Sequence, residues 1–362
     1  MHRLMAGVTI LEHELSELRL LVERQTGILL DCPNSALAAH VAEYLESEEL
    51  ESAGTLLERL RNGDGNPSIL PGFLDGVLNV STGFFRHPGA MNALAQQVIP
   101  QIYARKAEDG PCTLRIWSAG CGTGEEPYSI AMALSDALSG GNGAGAACVA
   151  EGKDKNGAKR NGGVAENSVP AAALPWTKEC SVHIVGSDLL PSSIEVAERG
   201  LYPQSALTGL PPAMIRASFS KIGSASQANA SDAATKAAGP SPLRDTGNGS
   251  GDGAKNGSGN GAHLLVKPRL RSLITFNTMN LTKPVYIGRF DCIFCMDVLP
   301  HLSRAQRTSL LERLHLYLEP GGYLFLSQTE KLYAPNLNFR SETFDGYTFH
   351  RKPMAASAAY GR

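Results

Sequence analysis

From residue 112 onward, short runs rich in β-branched and aromatic residues alternate with segments of helical period. CTLRIWSA opens this stretch, a glycine-rich turn follows it, and EEPYSIAMALSDAL carries a helix pattern. CSVHIVGSD reads as a second strand ending on an acid, with PSSIEVAERG as the helix after it. SLITFNTMNL, FDCIFCMDVL and GGYLFLSQTE add three more strands, TSLLERLHLYLEPGG a helix between the last two, and GYTFHRK a candidate final strand. Strands that alternate with helices imply crossover connections, so the expected class is α/β. The sheet is mostly parallel and covered on both faces.

The front of the chain has a different pattern. Leu11, Leu15, Leu18 and Val22 recur at helical spacing, with Gly27 as a plausible stop. Leu37, Val41 and Leu45 form a second stripe, and Leu56, Leu57 and Leu60 a third. These predict a small all-helical domain over residues 1–75, an α/β domain over 76–352 and a tail over 353–362. Glycine supplies 38 of 362 residues, above the globular average of about 7%. Two stretches account for the excess: 139–178 holds 8 glycines and 223–262 holds 9, both nearly devoid of large apolar residues. They read as flexible insertions that cannot offset the entropy of ordering.

Composition narrows the function classes. The formal charge is −2, but residues 1–70 carry a net −7 and residues 263–362 a net +6. Ordinary solvated faces explain that asymmetry as well as a functional one does. No apolar run approaches the roughly 20 residues of a membrane helix, and the first residues turn acidic before a signal-peptide core could form. Seven cysteines at irregular spacing suit a reduced, cytoplasmic protein better than a disulfide framework. Cys292 and Cys295 form a C-x-x-C, but they sit three apart in an apolar strand and so face opposite ways. They read as core residues, and no metal site is expected.

The chemistry is concentrated at the end of the first strand. Gly120, Gly122 and Gly124 permit a tight turn and close approach of a ligand to the backbone, with Pro127 suited to the first turn of the helix beyond. Glu125 and Glu126 follow directly and would repel a pyrophosphate; they suit a ligand carrying an amine or another positive charge. Asp188, at the end of the second strand, lies 24 residues past Gly124 once the insertion is discounted, near the roughly 20 that separate a glycine loop from a ribose-binding acid. Its competing role is to cap the next helix. A nucleoside with a cationic amino-acid tail, S-adenosylmethionine, satisfies loop and acids together. Before the sheet, Thr82 precedes Phe84, Phe85 and Arg86, where an arginine anchored by two aromatics could also be simple packing.

Taken in order, T-x-F-F-R, W-S-A-x-C-x-T-G-E-E-P-Y-S, S-D, N-L and F-D-x-I-F-C resemble the chemotaxis receptor methyltransferases of bacteria, the CheR family. The ordered motifs extend from about residue 79 to 330. The resemblance implies a Rossmann-like methyltransferase domain with a small antiparallel β-subdomain inserted within about 200–276. It implies methyl transfer from S-adenosylmethionine to glutamates on the cytoplasmic helices of chemoreceptors, leaving S-adenosylhomocysteine. Residue by residue, it sets Thr82 and Arg86 beside the cofactor and the transfer centre, Glu126 at the methionine end, Asp188 at the ribose, and Asn280 with Leu281 at the adenine. Gly120 and Gly122 would line the same site. Asn79 resembles the family's asparagine before the threonine, displaced by one position.

The chain departs from the family after Cys295. Met296 and Asp297 replace an arginine and an asparagine and are expected at the cofactor in their place, and His301 stands for the tyrosine near the transferring methyl. His301 could donate a hydrogen bond or offer a ring face to a sulfonium, or it could cap the turn before Ser303. Lys267, Arg269 and Arg271 alternate as one face of a strand would, either as a basic edge for an acidic receptor helix or as charge protecting a sheet edge. The expectation is a monomeric cytoplasmic enzyme whose partners are methyl-accepting chemoreceptors, with no nucleic acid and no direct membrane insertion. The rival readings are a methyltransferase with another protein or small-molecule acceptor, and a catalytically weak cofactor-binding regulatory module.

Overall fold

The computed structural model describes residues 10–62, 69–78, 82–107, 112–138, 180–221, 262–285, 287–332 and 336–354. The expected insertion 139–178 and all but the last residue of 223–262 lie outside the described residues, as does most of the tail.

Four helices form the front unit: α1 (Glu12–Thr26), α2 (Asn34–Ser47), α3 (Ala53–Asn62) and α4 (Ile69–Val77). The three leucine-rich stripes are buried in one core, joined by Ile69, Phe73 and Leu74 of α4. Gly27 ends α1 in the left-handed conformation, as its position suggested. Leu11 is a correction: it precedes α1 and is 49% exposed. Its N–H is taken up by the Glu14 carboxylate, so it serves the helix start and not the core.

The helix pair α5 (Pro88–Ala93) and α6 (Ile99–Ala107), continuous through a π turn, leads into the sheet. Strand β1 (Thr113–Ala119) is followed by α7 (Glu125–Leu138), and β2 (Ser181–Asp188) by α8 (Pro191–Arg199). Three short strands, β3 (Leu201–Pro203), β4 (Phe219–Lys221) and β5 (His263–Val266), form a separate antiparallel sheet, with α9 (Pro212–Ser218) between the first two. This is the expected inserted subdomain. The main sheet resumes with β6 (Ile274–Thr278), β7 (Phe290–Phe294) and β8 (Leu318–Phe325), with the helix Arg304–Tyr317 between the last two. The hairpin β9 (Arg340–Phe344) and β10 (Tyr347–Arg351) completes it.

The main sheet runs in the order β6-β2-β1-β7-β8-β10-β9. The first five strands are parallel, and β10 pairs antiparallel to both neighbours. Each face packs its own core. Cys292 and Phe294 join one with Ile116 and Tyr323, while Ile293 and Cys295 join the other with Trp117 and Leu314. Cys292 and Cys295 therefore face opposite ways and are fully buried, and no group of residues able to hold a metal occurs among the described residues. No helix among the described residues is long and apolar enough to cross a membrane.

Two element boundaries differ from the sequence expectation. The helix before β8 stops at Tyr317, because Glu319 precedes Pro320 and the residue before a proline prefers extended backbone. The alternation of Lys267, Arg269 and Arg271 does not mark a strand. Pro268 cannot donate to a ladder and instead opens the helical turn Pro268–Arg271. The three cations donate to the carbonyls of Arg216, Ala217 and Glu198, at the carboxyl ends of α9 and α8. They are helix-end partners, where a positive charge offsets the exposed carbonyls.

Candidate active site

In the parallel part of the sheet, chain connections leave β1 in one direction and β7 in the other. Loops at the carboxyl ends of these two strands diverge and leave a crevice, the place where open α/β sheets bind ligands. A cavity of about 470 Å³ occupies it. Thr82, Arg86, Gly120, Gly122, Glu126, Asp188, Asn280, Leu281, Met296, Asp297 and His301 all line it. Residues far apart in sequence are thus brought to one wall-to-wall space. Asn79 lies outside the described residues.

The loop after β1 is built for backbone approach. Gly120 has φ +82°, and a Cβ there would stand 2.5 Å from Val298 Cγ2. The Gly120 and Cys121 N–H groups donate to the Ser187 carbonyl, tying the loop to the end of β2. Asp188 completes the tie: its Oδ2 accepts from Gly122 N–H (2.9 Å) and its Oδ1 from Leu190 N–H (3.0 Å). Burial pushes its carboxyl above the usual carboxylate range, and these backbone donors pull it back. Asp188 therefore braces the loop and the turn that leads into α8, whose N-cap is Leu190, with no side-chain cap. With Leu189 N–H as a third backbone donor, the carboxylate still keeps acceptor capacity for a ligand.

The two glutamates at the start of α7 have different jobs. Glu125 is buried and accepts from the hydroxyls of Thr82 (3.0 Å) and Thr123 (2.8 Å), fastening the segment before α5 to the glycine loop. Glu126 faces the cavity, with Ser118 Oγ donating to its Oε1 at 2.7 Å. Protein surrounds it on every side but the cavity. Burial, with Asp297 and Glu330 adding repulsion, pushes its carboxyl up to about 7 despite Ser118 and Arg86. A carboxyl so placed favours a cationic group that enters the cavity. Asn280 Oδ1 accepts from the N–H of Thr282 (2.9 Å), which fixes the turn that presents Asn280 and Leu281.

The turn after β7 carries the residues that depart from the family pattern. Asp297 has φ +58°, a conformation costing about 1–2 kcal/mol for a residue with a Cβ. Glu330 holds it there, accepting the N–H groups of Asp297 (3.1 Å), Leu299 (2.9 Å) and Ser327 (2.8 Å). Asp297 Oδ2 is 2.9 Å from His87 Nε2 and 3.3 Å from Arg86 Nη2. Met296 is buried, its sulfur 3.9 Å from the Tyr347 hydroxyl. His301 ends a short 3-10 turn on the cavity rim, with its imidazole exposed.

Several contributors were not foreseen from sequence. His87 follows the T-x-F-F-R motif and Glu330 closes the S-Q-T-E string, but neither motif assigns a role to it; their partners are 210 and 33 residues away. The connection between α1 and α2 supplies Ile28 to Cys32 as part of the cavity wall. It is held by the Ile28–Leu302 bridge, the Leu29 N–H to His301 carbonyl bond (2.8 Å) and the Thr282 hydroxyl on the Thr26 carbonyl (2.8 Å). Leu190, two residues past Asp188, is buried in the core of the helical unit.

The donor set can be tested against S-adenosylmethionine. Asp31, Glu126, Asp188 and Asp297 line the cavity against a single arginine and two histidines. Such a lining disfavours a pyrophosphate and suits a ligand with sulfonium and ammonium charges. The volume lies within the range of small-molecule sites. The residues present fit the group.

A model described as the CheR methyltransferase, SAM binding domain matches residues 80–158 and 255–347. Chemotaxis protein methyltransferase 1 of Pseudomonas aeruginosa is 28% identical over 317 residues, covering 87% of this chain and 88% of that protein. The chemotaxis protein methyltransferase of Vibrio parahaemolyticus is 25% identical over 331 residues, covering 91% and 92%. Chemotaxis protein methyltransferase Cher2 of Pseudomonas putida is 25% identical over 322 residues, covering 88% and 90%.

Proposed function

The chain belongs to the CheR methyltransferase family, and from that premise we propose that it methylates glutamate side chains of chemoreceptor cytoplasmic helices in chemotaxis adaptation. The observation that carries the reading is the acid-lined cavity at the sheet's point of divergence, with Arg86 at the same cavity as Glu126. S-adenosylmethionine supplies an electrophilic methyl group on sulfur, which passes to a glutamate carboxylate oxygen to give the methyl ester and S-adenosylhomocysteine.

The residues act by binding, orienting and excluding water. Glu126 receives the ammonium of the methionine tail, and Asp188 the ribose hydroxyls. Asn280 and Leu281 meet the adenine, and Thr82 and Arg86 flank the transfer centre. Gly120 and Gly122 let the ligand lie against the backbone. Met296 packs beside it, and Asn79 belongs to the same set. A glutamate acceptor is already ionised near neutral pH, so no strong general base is required. Arg86, with guanidinium N–H groups to spare, suits the orientation of an anionic acceptor. His301 at the rim is available to the acceptor side. The chain divides, in this reading, into a helical unit over 1–75, the transferase over 76–352 and a tail over 353–362.

The test is incubation with radiolabelled S-adenosylmethionine and a chemoreceptor cytoplasmic fragment, followed by mild base. Base-labile label on the fragment is the expected result. Cofactor binding without transfer to any receptor would favour a regulatory module, and label on another acceptor a different methyltransferase. Failure to bind the cofactor would remove the reading altogether.

A further inference from the structure

Two strained backbone positions set residues of the cavity wall: Asp297 lines it itself, and Phe85 precedes Arg86 and His87, which line it. Phe85 has φ +51° and Asp297 φ +58°, both left-handed and neither a glycine. Phe85 is fixed by its N–H on Ser129 Oγ at 2.9 Å, and Asp297 by the Glu330 carboxylate. Non-glycine residues held in this region cluster at functional sites when the surroundings over-determine them. The result of this bracing is a three-residue cluster: Arg86 and His87, adjacent in sequence, converge on one oxygen of Asp297.

The cluster answers an electrostatic requirement of the cavity. A bare Asp297 carboxylate in the cavity would repel an incoming glutamate. Arg86 offsets that charge through a single 3.3 Å contact. His87 adds a second donor on the same oxygen, with its side chain 21% exposed against 43% for Arg86. The imidazole is thus the more enclosed partner, and the guanidinium the more available one. Asp297 uses one Arg86 nitrogen, Nη2, which leaves donors that no described residue engages.

We propose that His87 and Asp297 form a positioning pair: Asp297 fixes the Arg86 guanidinium at the cavity, and His87 holds Asp297 in place through the contact to the shared oxygen, so that Arg86 can orient a carboxylate acceptor. The inference rests on the reading of this cavity as a methyl-transfer site. The pair touches neither reacting atom and acts through Arg86. Glu330 belongs to the device as the support of the left-handed turn.

The test uses the full chain and the variants Asp297→Asn, His87→Gln and their combination. With a chemoreceptor cytoplasmic fragment as acceptor, Asp297→Asn is expected to lower kcat/KM for the fragment about 10- to 100-fold, with affinity for S-adenosylhomocysteine changed less than about threefold. His87→Gln is expected to lose about 3- to 10-fold, and to add nothing in the Asp297→Asn background, because the two act as one unit. Additive losses, or cofactor affinity falling as far as turnover, would overturn the proposal. A second readout does not depend on the acceptor: in nitrogen-15 spectra the His87 Nε2–H and Arg86 Nε–H signals of wild type should be dispersed and slow to exchange. Both should collapse toward solvent-like values in Asp297→Asn. Unchanged signals would overturn the pair even if the wild type methylates receptors. Collapse without any methylation by wild type would retain the pair and refute the transfer reading.

Discussion

Replacing Glu126 with glutamine should erase a pH dependence that cofactor affinity carries in the wild type. In the free protein the Glu126 carboxyl titrates at about 7, raised by burial. An ammonium beside it would favour the ionised form and pull the bound-state value well below that of the free protein. The ligand then binds the ionised form, so affinity rises with pH until the carboxyl is fully ionised. Between about pH 5.5 and pH 7.5 the ionised fraction grows from about 3% to about 75%, which corresponds to about a 20-fold tighter association, or about 2 kcal/mol. The linkage also acts on stability. Because the folded-state carboxyl lies above its unfolded value, its contribution is present below about pH 4.5 and lost as pH rises through about 7. Stabilisation by ligand should consequently be greater at the higher pH. Calorimetric titration with S-adenosylhomocysteine, repeated in buffers of different ionisation enthalpy, reads both the affinity and the proton released. Near pH 7, about half a proton should leave per ligand bound. Glu126→Gln should bind about 10- to 100-fold more weakly at pH 7.5, with the slope and its share of the proton release gone. A flat wild-type profile, or an equal slope in the variant, would refute the assignment of Glu126 to the ammonium.

Three other substitutions examine the frame around the site. Gly120→Ala places a methyl 2.5 Å from Val298 Cγ2 at a left-handed position, so it should cost about 1–3 kcal/mol in urea unfolding and reduce ligand affinity more than tenfold. Leu190→Ala removes a side chain that is 2% exposed in the helical core, for a loss of about 2–5 kcal/mol. Alanine keeps the N–H that anchors Asp188 but loses the packing that seats it, so the thermal shift on adding ligand should shrink relative to wild type; an unchanged shift would separate the helical unit from the site. Lys106→Met takes the near cation from Asp291, whose side chain is 1% exposed, leaving it the Arg115 N–H (3.0 Å) and Arg105 at 3.9 Å. Its midpoint of unfolding should fall by the equivalent of about 3–5 kcal/mol, with part recovered by adding Asp291→Asn.

What the sequence made legible follows from range. Gly120 to Glu126 is contiguous, so its turn, its two acids and its helix start could all be read locally. The leucine stripes of the front helices were legible for the same reason, since helical period reports burial directly. Asp188 could be matched to the loop by spacing alone, although its backbone bonds to Gly122 and Leu190 needed coordinates. His87 could not be found this way. Only the left-handed turn at Asp297 brings the two together, and that turn depends on Glu330 from beyond the next strand. Ile28 to Cys32 were hidden because their role is set by docking of one unit on the other. The error at Lys267, Arg269 and Arg271 is instructive in another way: alternation suggested a strand, but Pro268 had already ruled out an uninterrupted ladder.

The central claim is that the cavity directs a methyl group to a glutamate oxygen of a receptor. Its most direct test is peptide mass spectrometry of a chemoreceptor cytoplasmic fragment after incubation with the full chain and S-adenosylmethionine carrying a deuterated methyl. The account predicts that specific glutamate-containing peptides gain one deuterated methyl, lose it in mild base, and gain none with Arg86→Ala, a variant that should keep its fold. A label stable to base, a label on another residue type, or equal labelling by Arg86→Ala would contradict it.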